Sequence, residues 1–223
     1  MTDIGPGRGE QTRRAIADAA LRLFGEQGYE KTTMRAIASA ARVSVGNAYY
    51  YFASKEALVQ EFYLRIQHEH LSGVEKVFAR GGSFAEQLAG ILNAGVDAWA
   101  PYHAFAGKFI GLAAVPGSPL SPFSEESARS REMALDVYRR FVGGTRLKMD
   151  PQVRQELPEL LWLAQLGLVV YWVHDSSPGQ RRTRSVIELA VPYLEDLIGL
   201  SKVKVFRSMT LRGLEMLKLM TPG

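Results

Sequence analysis

Apolar residues recur at three- and four-residue steps along almost the whole chain, and no long alternating run suggests a sheet. Ile16, Ala17, Ala20, Leu21 and Phe24 predict an amphipathic helix over residues 11–27, with Gly28 placed to end it. Thr32 or Thr33 can cap a short second helix from Met34 to Ala40, whose inner face uses Ile37 and Met34. Ser44 can cap a third running to about Tyr51, and Ser54 a long fourth. The stripe of that fourth helix, Leu58, Phe62, Ile66, Val74 and Val77, continues to about Phe78, and Gly81-Gly82-Ser83 then breaks the chain. Further helices are predicted over 84–99, 102–114 and 124–142, with a proline-rich loop from Val115 to Pro122. Asp150-Pro151 suits a helix start, with Asp as cap and Pro in the first turn. Pro158 either kinks that helix or begins a new one reaching His174. A turn at Ser176-Ser177-Pro178-Gly179 precedes a helix from about Arg181 to Ile198, which Pro192 is expected to bend, and a final amphipathic segment covers about 201–219. The fold class is all-α.

Between Leu160 and Val173 only Gln165 and Gly167 interrupt the apolar run. As a helix its fourteen residues span about 21 Å, short of the roughly 30 Å hydrocarbon core of a bilayer, so a buried helix and no membrane partner are expected. A helix apolar on nearly every side rarely buries all its faces inside one small domain. Part of it is therefore expected to meet a second subunit through Leu161, Gln165, Leu168 and Trp172. Ile187, Val191 and Leu194 of the next helix would complete an isologous four-helix interface of a homodimer. The alternative is a hairpin packed wholly within one chain.

Composition narrows the function classes. With 47% apolar and 22% charged residues in 223, the chain matches globular averages, which excludes disordered and fibrous proteins. Without cysteine it has no disulfides, thiolate metal sites or cysteine nucleophiles. The first ten residues are polar and Gly-rich, unlike a secretory signal, and a cytoplasmic protein is expected. The net charge of +4 is unevenly placed. From Thr12 to Lys55 seven basic residues (Arg13, Arg14, Arg22, Lys31, Arg35, Arg42, Lys55) face three acidic ones (Asp18, Glu26, Glu30). From residue 200 onward Lys202, Lys204, Arg207, Arg212 and Lys218 stand against Glu215 alone, beside an apolar set of Val203, Phe206, Met209, Leu214 and Leu217. The middle of the chain is acidic by difference.

The basic head coincides with the most informative pattern, two short helices joined by a tight break at Ala41–Val43 after a longer amphipathic helix. That arrangement fits a helix-turn-helix that binds double-stranded DNA. The second short helix, Val45-Gly46-Asn47-Ala48-Tyr49-Tyr50-Tyr51, has little aliphatic surface to bury. It offers small residues for close approach and hydroxyls for phosphates. Phe52 and Tyr51 are expected to pack inward. Lys55 lies in a first helical turn, where the macrodipole disfavours a cation unless an anion such as phosphate is close.

The stretch "AALRLFGEQGYEKTTMRAIASAARVSVGNAYYYFASKEAL" resembles the N-terminal domain of TetR/AcrR-type transcriptional regulators. It has the aliphatic-Phe-Gly helix end, the Thr-Thr cap, the "IA..A" second helix and "VS.G..Y.YF.SKE.L", in order and at family spacing. The resemblance implies a DNA-binding domain over residues 1–53 and a ligand-binding and dimerisation domain over 54–223. It implies a homodimer on a palindromic operator, and a small-molecule effector that weakens DNA binding. Carried over by position, Val45, Gly46 and Asn47 would face base edges, while Tyr49, Tyr50 and Lys55 would lie near phosphates. Thr33 and Ser44, at the two caps, would also hold phosphate. Arg42 stands where the family usually has Gly. A left-handed backbone is expected there, with strain and a phosphate contact in exchange.

Trp99, Tyr102, Phe105, Phe109, Phe123 and Tyr138 concentrate aromatic side chains in the middle helices, beside His103, Asn93 and Asp97. They read either as core or as the lining of a hollow apolar pocket with a few polar groups. No catalytic or metal constellation stands out: His68 and His70 are two apart and point to different faces, and neither a metal nor a cofactor is expected. The reading is a ligand-released repressor. The alternatives are a DNA-binding regulator without a small effector, or a helical enzyme or carrier with a vestigial DNA module.

Overall fold

A computed structural model describes residues 7–201, apart from the side chains of Phe105 and Lys108. The basic segment beyond Ser201, with its lysines and arginines, lies outside the described residues, as does the side chain of Phe105. Among the described residues there are nine α-helices and no strand: α1 (Arg8–Gln27), α2 (Met34–Ala40), α3 (Val45–Tyr51), α4 (Lys55–Arg80), α5 (Phe84–Trp99), α6 (His103–Ala113), α7 (Ala128–Gly144), α8 (Pro151–Val173) and α9 (Arg181–Leu200). The all-α expectation holds.

Side-chain caps set most of the boundaries. Thr33 accepts a hydrogen bond from the Ala36 amide, Ser44 from Asn47, Ser54 from Ala57 and Asp150 from Gln152. Ser83 forms a reciprocal capping box with Glu86. Thr32, the other candidate cap of α2, is buried and donates to the Gly28 carbonyl instead.

α1 begins at Arg8, three residues before its expected start, and two proline-containing stretches bear on the other expected boundaries. The helix expected from 124 starts at Ala128. Residues 118–127 instead make successive turns, in which the amides of Ser121, Ser124 and Ser127 donate to the carbonyls of Ser118, Ser121 and Ser124. Pro119 and Pro122 supply no amide to a helical ladder there, so turns replace it. Pro158 neither ends nor starts a helix: α8 runs unbroken through it for 23 residues. The length argument against a membrane helix therefore fails, because 23 residues reach about 34 Å. What α8 does instead is pack, burying Val153, Leu157, Leu161, Trp162, Gln165 and Trp172.

The chain divides into two compact units, one of residues up to 65 with 102–128, the other of 66–101 with the residues from 129 onward. In the first unit Ile16, Ala20 and Phe24 of α1 meet Ile37 and Ala38 of α2, Ala48 of α3, Leu58 and Val59 of α4, and Phe109 of α6. The Ser-rich turns are tied to α4 in the same unit. Gln60 donates to the Pro119 carbonyl, and the Tyr63 hydroxyl, whose pKa burial pushes up to about 12, donates to that of Leu120. In the second unit α5 and α8 both pack on α9. Gly73 of α4 lets α5 approach closely, since a Cβ there would lie 2.8 Å from that of Ala94.

Asp175 joins α8 to α9. Its carboxylate, 4% exposed, accepts from the amide and hydroxyl of Ser177 and from the amide and hydroxyl of Thr183. Burial alone would raise its pKa, but these four donors outweigh it and hold the group well below the ordinary carboxylate range.

Candidate nucleic-acid interface

The short helix α3 is held by very little of itself. Ala48 is its one buried residue, and Phe52, just beyond its end, is buried beneath the Arg13 guanidinium, 4.8 Å from the ring. Tyr51 is half-buried, as expected. Val45, Gly46, Asn47, Tyr49 and Tyr50 are all exposed, Tyr50 at 81%. No side chain lies within 4 Å of the position a Cβ would take on Gly46. A helix that spends only Ala48 on its own core leaves the rest of its surface for a partner.

The two caps flank this surface. Thr33 and Ser44 use an oxygen lone pair on an amide, which leaves each exposed hydroxyl its proton for a phosphate oxygen. Between them α2 closes in a Schellman arrangement, the Val43 amide donating to Ala38 and the Arg42 amide to Ser39. That geometry forces Arg42 to a φ of 57°, the left-handed conformation anticipated from its replacement of glycine. The Arg42→Gly substitution is expected to stabilise the fold by about 0.5–1 kcal/mol, a net of relieved strain and added unfolded-state freedom. Chemical denaturation reads this directly, and a loss of stability would mean that the Arg42 side chain supports the turn.

Lys55 has a partner within the chain that the sequence did not show. Its Nζ donates to the Tyr29 carbonyl at 2.9 Å and lies 4.2 Å from the centre of the Tyr29 ring. The Tyr29 hydroxyl in turn donates to Glu56 at 2.5 Å. Burial, helped by the hydrogen bond to Glu56, pushes the Tyr29 pKa up, while for Glu56 burial is outweighed by hydrogen bonds from Tyr29, the backbone and Ser54 and by the Lys55 charge, which together hold it below the ordinary carboxylate value. The first turn of α4 is thus clasped to the end of α1, and any phosphate contact by Lys55 uses its remaining protons. Lys55→Met is expected to cost about 1 kcal/mol of stability through the lost clasp, which thermal melting without DNA would detect.

Pairing redistributes the basic charge. Arg13 is bound to Glu61, Arg22 to Glu26 and Arg65 to Asp18. Arg14, Lys31, Arg35 and Arg42 are exposed and take part in no ion pair among the described residues. Arg35, two residues past the Thr33 cap, and Lys31 belong with the phosphate-facing set. Sequence reasoning counted their charge without assigning them a role, although their closeness to that cap was already visible.

The aromatic residues proposed for a pocket fall in different units. Tyr102, His103, Phe109 and Phe123 belong to the first, Trp99 and Tyr138 to the second. Phe109 lies edge-on to Phe24 and tilted against Phe62, Tyr102 meets the Phe62 edge at 4.6 Å, and Phe123 is 38% exposed. Trp99 meets Trp172 edge to face, and the fully buried Tyr138 hydroxyl donates to Gln165 at 2.5 Å. Of the polar candidates, Asn93 and Asp97 both take the Arg184 guanidinium.

The residues expected at a subunit interface also turn inward. Leu161, Gln165, Trp172, Ile187 and Val191 are buried within the unit, with Leu168 and Leu194 half-buried. Five of these seven thus face the interior, and of the two apolar stripes of α9 the one through Ile187, Val191 and Leu194 meets the rest of the chain. The outward stripe is Val186, Leu189, Tyr193, Leu197 and Leu200, with Leu189 at 78% exposure, and Val170 and Tyr171 of α8 are exposed as well.

Residues 16–62 match the family described as "Bacterial regulatory proteins, tetR family", and residues 87–212 match "Tetracyclin repressor-like, C-terminal domain". UidR of Escherichia coli K12, an HTH-type transcriptional regulator, is 35% identical over 91 residues, 41% of each protein. The A-factor receptor protein of Streptomyces griseus is 41% identical over 81 residues, 36% of this chain and 27% of the receptor. The matches thus span less than half the length of these curated relatives. Among solved structures Salmonella enterica GusR has a TM-score of 0.65 at 19% identity, covering 85% of this chain and 98% of its own. At that identity the likeness concerns the fold.

Proposed function

Because the chain belongs to the TetR family of DNA-binding transcriptional regulators, we propose that it is a homodimeric repressor released from a palindromic operator by a small apolar effector. In this reading residues 1–53 form the DNA-binding domain and 54–223 the ligand-binding and dimerisation domain, and the protein works in the cytoplasm. The observation that carries it is the surface of α3, where Val45, Gly46, Asn47, Tyr49 and Tyr50 face outward while only Ala48 is buried. Val45, Gly46 and Asn47 would approach base edges. Tyr49, Tyr50, Thr33, Ser44, Arg42 and the remaining protons of Lys55 would hold phosphates, joined by Arg35 and Lys31.

For the dimer, support comes from the outward stripe of α9. Leu189 and Tyr193 are far more exposed than large apolar side chains in a finished surface, and Leu197 and Leu200 extend the same line. A two-fold axis through this stripe would bury it against itself. Leu189→Arg is expected to shift the protein from dimer to monomer in analytical ultracentrifugation. An unchanged dimer would place the interface elsewhere.

Effector release rests on the family and on a relative named as a receptor. Ligand regulates only through its different affinity for the DNA-competent and DNA-incompetent conformations. Selecting bound genomic fragments and then screening metabolites for release of the recovered operator tests the reading. Recovery of a site that no metabolite releases would favour the alternative of a regulator without a small effector.

A further inference from the structure

From Val45 to Tyr51, α3 contains no Arg, Lys, Asp or Glu. With about 3.6 residues per turn and Ala48 as the inner pole, Gly46 and Tyr50 fall at the outer crest. Val45 and Tyr49, four apart, share one flank, and Asn47 lies on the other. Helical geometry leans the Tyr49 ring back toward Val45. Both residues of this apolar flank are uncovered, Val45 at 38% and Tyr49 at 51% exposure. Among the described residues packed on the core of the first unit are Val43 and Tyr51 but not Val45.

The backbone that carries Val45 is fixed on both sides. The Val43 amide donates to the Ala38 carbonyl, the Ala48 amide to that of Ser44, and the Asn47 amide to the Ser44 hydroxyl. A β-branched side chain in a helix keeps essentially one rotamer, so the isopropyl group is presented rigidly and loses little freedom on contact. Gly46 adds no side chain at the crest, which lets the helix approach until Val45 meets a base edge. In the major groove guanine presents two acceptors and cytosine an amino donor. An isopropyl group pressed on either strips water from polar atoms and returns no hydrogen bond. The side chains that answer those edges best, a guanidinium or ammonium for guanine and a carboxylate for cytosine, are absent from α3. Thymine alone presents a methyl group.

We propose that Val45, flanked by the Tyr49 ring, reads the 5-methyl group of one thymine in each operator half-site. The base chosen by this flank is then set by an apolar contact and not by a hydrogen bond. The inference rests on the placement of α3 in the groove given above and names the base chemistry that this flank selects. The Tyr49 hydroxyl, at the far end of the ring, stays available for a phosphate.

Deoxyuridine differs from thymidine by that methyl group alone, which makes it a direct probe. On the operator recovered by genomic selection, each thymine of a half-site is replaced in turn, symmetrically in both half-sites, and affinity is read by fluorescence anisotropy. At one position the full-length protein is expected to bind about tenfold more weakly, through loss of one buried methyl per half-site. Val45→Ala is expected to bind the natural operator about tenfold more weakly, and to bind the deoxyuridine operator no differently from the natural one. Alanine is the better helix former at this exposed position, so the fold is spared. Tyr49→Phe keeps the ring and should keep the preference for thymine. Any effect of the methyl group on the shape of the DNA would be felt equally by Val45→Ala, so a thymine preference that survives in this variant would overturn the proposal. A half-site without thymine, or loss of the preference in Tyr49→Phe, would do the same. If a palindrome is recovered whose affinity ignores every thymine methyl, the repressor reading stands and this one falls. If no site is recovered, both fall.

Discussion

Gly46→Glu is expected to abolish specific operator binding, by at least about a hundredfold, while leaving the fold intact. The fold is spared because the space around Gly46 is open, with nothing within 4 Å of a new Cβ. Glycine also weakens a helix interior by roughly 0.5–1 kcal/mol, and a carboxylate in the first turn of α3 suits the macrodipole, so stability should hold or rise. On DNA the same side chain fills the closest approach of α3 to the groove and sets a negative charge among phosphates. A clash of that kind costs several kcal/mol, and about 2.7 kcal/mol already gives a hundredfold. Fluorescence anisotropy on the recovered operator gives the affinity and a thermal melt gives the fold. Undiminished affinity in a folded variant would remove α3 from the groove.

Asp175→Ala is expected to cost about 3 kcal/mol, the largest stability loss of any single change discussed here. The wild-type carboxylate takes Ser177 through its amide at 2.9 Å and hydroxyl at 2.6 Å, and Thr183 through both groups at 2.8 Å. Alanine leaves the buried Thr183 amide without its acceptor at the start of α9 and unties the turn from the end of α8. The effect depends on pH with a definite sign. The folded-state pKa lies below that of the unfolded chain, so the stabilisation is fully present above about pH 4 and is lost as pH falls further. Urea unfolding at pH 7 should therefore separate wild type from variant by about 3 kcal/mol, and at pH 3 the gap should narrow. An equal gap at both values would mean that the carboxylate's charge is not what holds the joint. Since the outward stripe of α9 follows directly from this joint, the variant should also dimerise more weakly.

The helices and most of their ends were legible because caps and periodicity are local. Ser44, Ser83 and Asp150 each act within three residues of themselves, and the Thr33 to Tyr51 pattern carries its own turn. The strain at Arg42 was legible for the same reason, from one residue standing where a left-handed backbone is needed. Facing was harder to read. On α9 two rows are equally apolar, Ile187–Val191–Leu194 and Leu189–Tyr193–Leu197, and only the packing of α5 and α8 decides which is inside. The clasp made by Lys55 was not legible because its partner, the Tyr29 carbonyl, is 26 residues away and belongs to the main chain. Asp175 escaped notice because its acceptor role reaches eight residues forward to Thr183.

In the proposed function an outward-facing α3, repeated by dimer symmetry, reads a palindromic site. Footprinting of the purified protein on selected genomic fragments, repeated across a salt series, tests it most directly. The expected result is a protected palindrome with half-sites about one helical turn apart, and an affinity that falls steeply with salt as phosphate contacts release counterions. Protection without two-fold symmetry, or binding indifferent to salt, would contradict it.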